Sequence, residues 1–581
     1  MKRFLILLAA MIPCFTQAQW SHSPDTAKAA LLGSFFNSIV ADGDGGAIIL
    51  GRKNSLYTAQ KVNKDGYIVW DPTLQGLTVI IPDSANDVTI GRDTYLWPDG
   101  KGGVYIGYDY YDFLRILTDP EYVVIYDLDT YVQHLDEGGR RIWGNKGIPL
   151  STLKGTNPNY YNVAASQIMA LGGDGHGGIV AVWNFSDYDS LGNVSGGTYI
   201  QRVDASGSVL WEENGRRVSA FGSVQALVDE QGSVFVVTLQ GNSSGTDLRR
   251  HILKINVAGQ LLWERPVSIS IDNLIGGKIL SDGLGGVYIL SYAYDQIDPE
   301  KKGIIATRFD KDGNELWGER GIVICDSIGS QGFMESAIKF KDSDFIVSWT
   351  DARKRRNVYL QRVDCNGALL WNERGIPVSS VGSFKMHCRL LETSGNEIIA
   401  IFHDRRDSIG ITYAQKFNEN GEAQWRNIDV LVSTRIYPGK LISDGRGGAI
   451  ISSGQAGPDR GVYIYRVDKD GNLGGVVSVK HRKEDDVPKR FDLYQNHPNP
   501  FIRETVIRYS LPSGPHYVQL KVYNIHGEEV VTLVNEIQAK GNHVVRWSGV
   551  NHDGMPVAAG VYFYKLQVGQ VHLVKKLVVM R

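Results

Sequence analysis

Apolar and polar residues alternate in short runs along most of the chain, and glycine-bearing turns close the runs. "GAIILGRK" from Gly46, "GVYIGYDY" from Gly103 and "GVYILSYAY" from Gly286 each follow an Asp-Gly-x-Gly turn. Short runs rich in β-branched and aromatic residues, bounded by Gly and Asp, predict strands joined as hairpins.

The pattern is periodic. "YIQRVDASGSVLW" from Tyr199 returns as "YLQRVDCNGALLW" from Tyr359 and "YAQKFNENGEAQW" from Tyr413. Further versions place an Asp or Asn at Asn63, Asp136, Asp204, Asn256, Asp310, Asp364, Asn418 and Asp468. Their spacing settles to about 54 residues, which marks a repeat architecture. A second turn, DGxGG, precedes each phrase: it is clear after Ala41, Pro98, Gly173, Ser281 and Ser443, and weaker after Val228, Phe340 and Glu392. One unit therefore reads strand, DGxGG turn, strand, variable loop, strand, D-x-x-G turn, and a fourth strand ending at Trp. Four antiparallel strands repeated radially make a β-propeller blade. The expectation is an all-β chain with eight blades over residues 19–480, or seven as the alternative. Closure stays open, because the last copy, "YIYRVDKDGNLGG", has no Trp.

The fixed residues have turn chemistry behind them. Asp or Asn accepts backbone N–H groups a few residues on, and the following Gly supplies positive φ. The Trp is suited to wedging between neighbouring sheets while its indole N–H meets a carbonyl. Lys61, His134, Arg202, Lys254, Arg308, Arg362, Lys416 and Arg466 fill one basic position in all copies. They read either as a ring of anion sites or, as favoured here, as stems packed along a blade with heads bonded to a neighbour. The phrase resembles the tryptophan-docking motif of quinoprotein dehydrogenase propellers, with a turn one residue shorter. It is also similar to Asp-box hairpins, and most of all to hairpins of exported propellers in Bacteroidetes-type bacteria. That resemblance implies architecture and no activity.

Composition supports the strand reading: 66 Gly, 28 Tyr and 12 Trp suit many short strands and tight turns. A net charge of −2 gives no support for a nucleic-acid partner. At the N-terminus, Lys2 and Arg3 precede an apolar stretch from Phe4 to Phe15, and Thr16-Gln17-Ala18 reads as a cleavage site. A signal peptide over residues 1–18, cleaved after Ala18, is expected. Cys325, Cys365 and Cys388 then remain, too few for a disulfide framework, although one pair could form.

A charged linker, residues 481–490, precedes a tail of alternating strands over residues 491–581, expected to form a small Ig-like sandwich. The tail carries Pro498-Asn499-Pro500-Phe501, "VYNIHGEEV" around Gly527, "DGMPVAAGVYFYKL" with Gly554, Gly560 and Tyr562, and a terminal "KKLVVMR" with Lys575 and Lys576. It resembles the type A sorting domain of the bacterial type IX secretion system, related to the Ig-like domain of flagellar hook-capping proteins. The resemblance implies export through the periplasm to the cell surface or medium. The implied partners are the secretion machinery, its signal-removing peptidase and surface lipopolysaccharide as an anchor. An ordinary structural Ig-like module is the alternative.

No GxSxG elbow, HExxH helix, Walker loop or GxGxxG placed between strand and helix stands out. No cofactor is expected; structural calcium is left open at Asp-rich turns such as Asp310-Lys311-Asp312-Gly313, which read first as hairpins. With uniform turns on one rim, recognition is expected on the variable loops of the other. The candidate ligand-binding residues there are Tyr108, Tyr110, Tyr111, Trp183, Phe185, Tyr292 and Tyr294. Two aligned segments, "WTDARKRR" and "FHDRRDSIG", add Asp351 with Arg353 and Asp404 with Arg406, as a carboxylate site or, preferably, as bolts between blades. The expected function is an exported binding or adhesion protein for a glycan or protein. The alternative is a propeller hydrolase or lyase acting on polysaccharide or peptide.

Overall fold

In six of the repeats an Asp that opens the first turn (Asp42, Asp99, Asp174, Asp229, Asp282 and Asp444) fixes a hairpin through its own carboxylate. Asp282 Oδ1 accepts the N–H groups of Leu284 at 2.8 Å and Gly286 at 2.6 Å, and Asp174 does the same for His176 and Gly178 at 2.8 Å each. The D-x-x-G turn repeats the device: Asp364 Oδ1 accepts from Asn366 and Ala368 at 2.9 and 2.8 Å. These turn carboxylates are thus engaged by backbone donors, as hairpin chemistry requires.

The computed structural model describes Trp20; residues 28–474 except 33–34, 54–55, 72, 74–75, 82–93, 118–122, 153–164, 189–193, 241–248, 268–276, 295–301, 319, 327, 330–331, 353–355, 407–410, 426–428, 434–438 and 456–460; and residues 491–580 except 497, 503, 513–515, 539–540 and 570. Ala18 and the linker 481–490 lie outside the described residues. Among the described residues the named elements are all strands. One compact unit holds the repeats up to Gly475, and a second holds Val476–Arg581.

The repeats form eight four-stranded antiparallel sheets, the second and third joined by a single parallel bridge from Ala165 to Leu128. Their first strands touch in chain order: Phe35–Ala41, Tyr95–Pro98, Ala165–Gly173, Ser223–Val228, Lys278–Ser281, Phe333–Phe340, Lys385–Thr393 and Leu441–Ser443. The last of these touches Phe35–Ala41 again, so the contacts return to their start. Alternation buries both faces of each sheet. Phe235, Val237 and Ile252 of the fourth unit interleave with Val287, Ile289 and Ile305 of the fifth. Each such side chain contributes about 1.5–3 kcal/mol when fully buried.

The fourth strand departs from the expected reading. It begins after the Trp in most units, as in Ile376–Pro377 after Trp371, and runs through it only in Leu261–Pro266. The Trp therefore sits in the bend, where it reaches the next unit's turn. Trp371 Nε1 donates to Glu419 O at 3.0 Å, Trp263 Nε1 to Lys311 O at 3.0 Å, and Trp425 Nε1 to Lys469 O at 3.0 Å. Gly313, at φ 82°, lies under Trp263, and a Cβ there would stand 2.7 Å from the ring. Glycine is needed both for the turn and for the close ring contact.

The basic position is structural, with a division of labour that the sequence left open. Arg308 pairs with its own unit's Asp282 Oδ2 (Nη2 at 2.8 Å) and donates through Nη1 to Cys365 O of the next unit at 2.8 Å. Arg362 pairs with Asp344 at 2.6 Å and reaches Glu419 O at 2.9 Å. The acid is the unit's own, and the carbonyl belongs to the neighbour.

The eighth unit supplies only Leu441–Ser443, Ala449–Gln455 and Gly461–Val467 from the end of the repeat region. Its fourth strand is Lys28–Leu32, which pairs with Gly461–Val467 from Lys28–Ile464 to Leu32–Gly461. Its missing Trp is replaced by Trp20, whose Nε1 donates to Lys64 O of the first unit at 2.9 Å. Trp20 is 2% exposed and packs with Ile39, Ile450 and Ile464.

The C-terminal unit stacks a three-stranded sheet (Asp492–Leu493, Thr505–Leu511, Gly541–Trp547) and a four-stranded one (Glu529–Gln538, His516–Tyr523, Gly560–Val568, Val571–Val579). Tyr509, Leu520, Trp547, Tyr564 and Leu577 fill its core. Cys325, Cys365 and Cys388 form no disulfide among the described residues.

Removing a docking ring should destabilise in proportion to its burial. Trp425 is 4% exposed, so Trp425→Ala is expected to cost about 3–5 kcal/mol in chemical denaturation. The half-buried Trp371 should cost less on the same substitution, and Asp364→Ala about 1 kcal/mol. An unchanged midpoint for Trp425→Ala would contradict the docking role.

Candidate functional site

The aromatic residues expected on the variable rim lie in strands, and five of them face neighbouring sheets. What reads as a loop in the second unit is largely strand: Val104–Leu117 pairs with Val123–Leu135 as far as Leu117–Val123. Tyr108 and Tyr110 are fully buried and pack on Tyr131, at ring distances of 5.9 and 5.7 Å. Trp183 is fully buried and stacks on Tyr199 at 5.9 Å, and Phe185 meets the same Tyr199 edge-on. Tyr292 is buried beneath Lys302, and its hydroxyl accepts Met334 N–H at 2.7 Å. These five are core residues, which corrects the expectation that they meet a ligand. Strand alternation continues past the presumed loop bases, so the rings remain between sheets. Tyr111 and Tyr294 belong to the same strands, but their side chains lie outside the described residues.

The second candidate is a built network. Asp404, fully buried at the end of Glu397–Asp404, accepts Arg406 Nη2 at 2.6 Å and Nε at 2.9 Å, and Ser383 Oγ at 2.5 Å. Arg406 also bonds Asp429 and lies 3.9 Å over the Tyr413 ring. Lys385, fully buried, approaches Asp404 at 3.6 Å. Burial works against the charge on Arg406, but hydrogen bonds to Asp404 and Asp429 raise its pKa above the ordinary value. Burial lowers the Lys385 pKa, with Asp404 opposing. Asp404, Arg406, Lys385 and Asp429 all belong to the seventh unit, while Ser379, which donates to Asp429 at 2.5 Å, comes from the segment leading into it. The bolt therefore ties one sheet to its incoming chain more than blade to blade. Asp351 ends the strand Asp344–Asp351, and its partner Arg353 lies outside the described residues.

A third constellation has no motif in the sequence. The first strands of the fifth, sixth and seventh units bring Lys278, Glu335 and Arg389 within electrostatic reach of one another at the inner edge of the ring. Glu335 stands at a β-bulge between Met334 and Ser336, and bulges re-aim side chains next to functional sites. Its Oε1 accepts Thr350 Oγ1 at 2.6 Å and His387 N–H at 2.9 Å. His387 adopts φ 55°, a left-handed conformation uncommon for a side chain of this size. Arg389 Nη1 donates to Cys388 O at 3.0 Å and Glu335 O at 3.3 Å. From the fourth unit, Gln225 Nε2 crowds Gly277 beside Lys278, while its Oε1 is buried with no hydrogen-bond partner. Four separate repeats contribute to this cluster, so no window of sequence contains it. The bulges that aim it are equally silent in composition.

An open groove of about 750 Å³ lies elsewhere, between the first unit's outer strand and the second unit's turn, lined by Leu77, Ile81 and Arg140 among others. Arg141 there is engaged with Thr78 O at 2.6 Å.

In the C-terminal unit the quoted segments converge. Phe501, 2% exposed, packs edge-on against Trp547 and bonds both Val578 O and Met580 N–H through its backbone. Asn499 Oδ1 accepts Val578 N–H at 2.8 Å, and Pro498 O accepts Thr505 Oγ1 at 2.8 Å; Pro500 follows in the same segment. Gly527 and Gly554 take positive φ in turns closed by Asn524 and Asn551. Gly560 opens the strand that carries Tyr562, whose hydroxyl donates to Ala558 O at 2.9 Å. Lys575 and Lys576 are exposed on the last strand.

Residues 503–570 match the FlgD Ig-like domain. No curated protein sequence matches the chain. Among solved structures it is similar to an acylaminoacyl peptidase from Pyrococcus horikoshii, at 10% identity over 72% of this chain and 58% of that one, with a TM-score of 0.34. The β-propeller domain of the Trilobed protease from Pyrococcus furiosus matches at 9% identity over 68% of this chain and 100% of that one, TM-score 0.34. An ulvan lyase of polysaccharide lyase family PL25 matches at 11% identity over 65% and 93%, TM-score 0.36. The chain thus spans less than two thirds of the length of the first of these.

The buried network is the part most sensitive to substitution. Asp404→Asn leaves Lys385 and Arg406 with Asp429 as their one remaining carboxylate, and is expected to cost about 3–5 kcal/mol. Tyr110→Ala should destabilise by a similar amount, about that of other large buried aromatics. Unchanged denaturation midpoints would place both side chains in solvent instead.

Proposed function

We propose that this chain is an exported eight-bladed β-propeller that binds an extracellular glycan or protein, carried outward by its C-terminal domain. Eight four-stranded sheets and a ring of first-strand contacts that returns to its start support the blade number. The export reading assigns residues 1–18 to a signal peptide cleaved after Ala18, and residues 491–581 to type IX secretion sorting. Its partners are then the secretion machinery and its peptidase, with surface lipopolysaccharide as anchor.

The observation that carries this reading is spatial. Pro498 to Phe501 and the terminal Lys575-Lys576 strand stand at opposite ends of the tail, yet they meet along one edge. Asn499 and Phe501 bond Val578, and Gln495 Nε2 donates to Lys576 O at 2.6 Å. The two lysine side chains project from that edge into solvent. A tightly held edge with two free cations suits recognition by a transport machine.

Truncation from Lys575 would remove half of the last strand and unfold the domain, so a point variant is the cleaner test. Lys575→Ala with Lys576→Ala should leave melting unchanged and retain the protein in the periplasm. Normal surface delivery of that variant would overturn the sorting assignment.

A further inference from the structure

We propose that the inner edge shared by the fourth to seventh units is a binding site for an oxyanion, a carboxylate or sulfate, carried on a hydroxylated ligand. The inference rests on the reading of the ring as a binding module and is independent of export.

The charge balance is the first reason. Two cations, Lys278 and Arg389, converge with a single acid, Glu335. That acid neutralises neither directly: its Oε1 is taken by a threonine hydroxyl and a backbone N–H. Arg389 bonds carbonyls only, and Lys278 bonds no described residue. Burial, and then the charge of Arg389, hold the Lys278 pKa below the ordinary lysine value, with Glu335 opposing. Other cations of the ring have an acid of their own, as Arg308 has Asp282 and Arg466 has Asp444, whereas buried Arg250 bonds only Ser291 Oγ among the described residues. A half-buried ammonium left beside a guanidinium is costly unless an anion completes it.

The second reason is the orphaned acceptor. Gln225 Oε1 is buried and unpaired, on a side chain whose Nε2 lies against Gly277, the neighbour of Lys278, and an unmade bond of this kind costs about 1–3 kcal/mol. A ligand hydroxyl would satisfy it. The acceptor beside two donors of positive charge therefore specifies an acid group with a neighbouring hydroxyl. The left-handed His387 and the bulge at Glu335 fix the cluster's shape before any ligand arrives. The bulge that sets Arg389 falls in the same strand as His387.

The test uses the purified full chain and Lys278→Met, which keeps the stem and removes no hydrogen bond. Isothermal titration with D-glucuronate, with inorganic sulfate and with D-glucose separates the ligand classes. The wild-type chain is expected to bind glucuronate or sulfate saturably and glucose not at all. Glucuronate alone would identify a carboxylate site, and sulfate alone a sulfate site. Lys278→Met should weaken the bound acid at least tenfold, while its melting temperature stays level or rises as repulsion with Arg389 is relieved. Gln225→Leu should weaken glucuronate more than inorganic sulfate, which offers no hydroxyl. Absence of saturable binding to either acid, or equal affinity in Lys278→Met, would overturn the site. Wild-type binding on a glycan and protein array that Lys278→Met leaves intact would also overturn it, with the binding-module reading left standing.

Discussion

Most of the ring depends on one backbone carbonyl in the D-x-x-G turn, the one that follows its Asp or Asn, which takes the indole N–H of Trp20, Trp70, Trp263, Trp371 or Trp425, while Trp143 rests on the next turn's Gly207 without such a bond. In the seventh unit it is Glu419 O, which receives Trp371 Nε1 at 3.0 Å and Arg362 Nη1 at 2.9 Å from the sixth. In the eighth it is Lys469 O, which receives Trp425 and Lys416 from the seventh. A carbonyl has two lone pairs, and here both are filled from the preceding sheet. The turn that makes a hairpin locally is therefore also the socket that fixes the next sheet's distance and angle. Its Asp, its Gly and the incoming Trp and base form one device, and that is why they recur together.

The same constraint accounts for closure. A ring of sockets needs a plug for the first one, and the last repeat has neither a Trp nor a fourth strand of its own. Trp20 and Lys28–Leu32 supply both, from the other end of the repeat region. The repeat is permuted relative to the sheet, so the sheets at the seam are held by residues more than 400 positions apart, as in Lys440 to Ser38. Long-range closure of this kind is entropically expensive and is offset by the buried cluster around Trp20, Ile39 and Ile450.

The turns were legible because their chemistry is local: Asp, Gly and the spacing to Trp suffice to read four strands and eight copies. The basic position was legible as structural, though not which acid it meets, since Asp282 and Arg308 stand on different strands of one sheet. The aromatic rim was misread for a physical reason. Tyr108 and Tyr110 continue the alternation of their strand, and nothing in the sequence says that the hairpin extends far enough to bury them against Tyr131. The inner cluster was not legible at all. Lys278, Glu335 and Arg389 come from the first strands of three different units, and bulges set the direction of Glu335 and Arg389. Phe501 was legible as part of a family pattern, but its pairing with Val578 and Met580 is a tertiary fact.

The central claim is that every sheet, including the one at the seam, is locked by a Trp in the next unit's turn. Hydrogen exchange on the Trp20→Ala chain tests this most directly. Amides of Lys28–Leu32 and Gly461–Val467 should lose protection together, while those of Phe345–Val347 in the sixth unit keep theirs longer. If the seam amides of Trp20→Ala stay as protected as in the wild-type chain, Trp20 does not close the ring and the account is wrong.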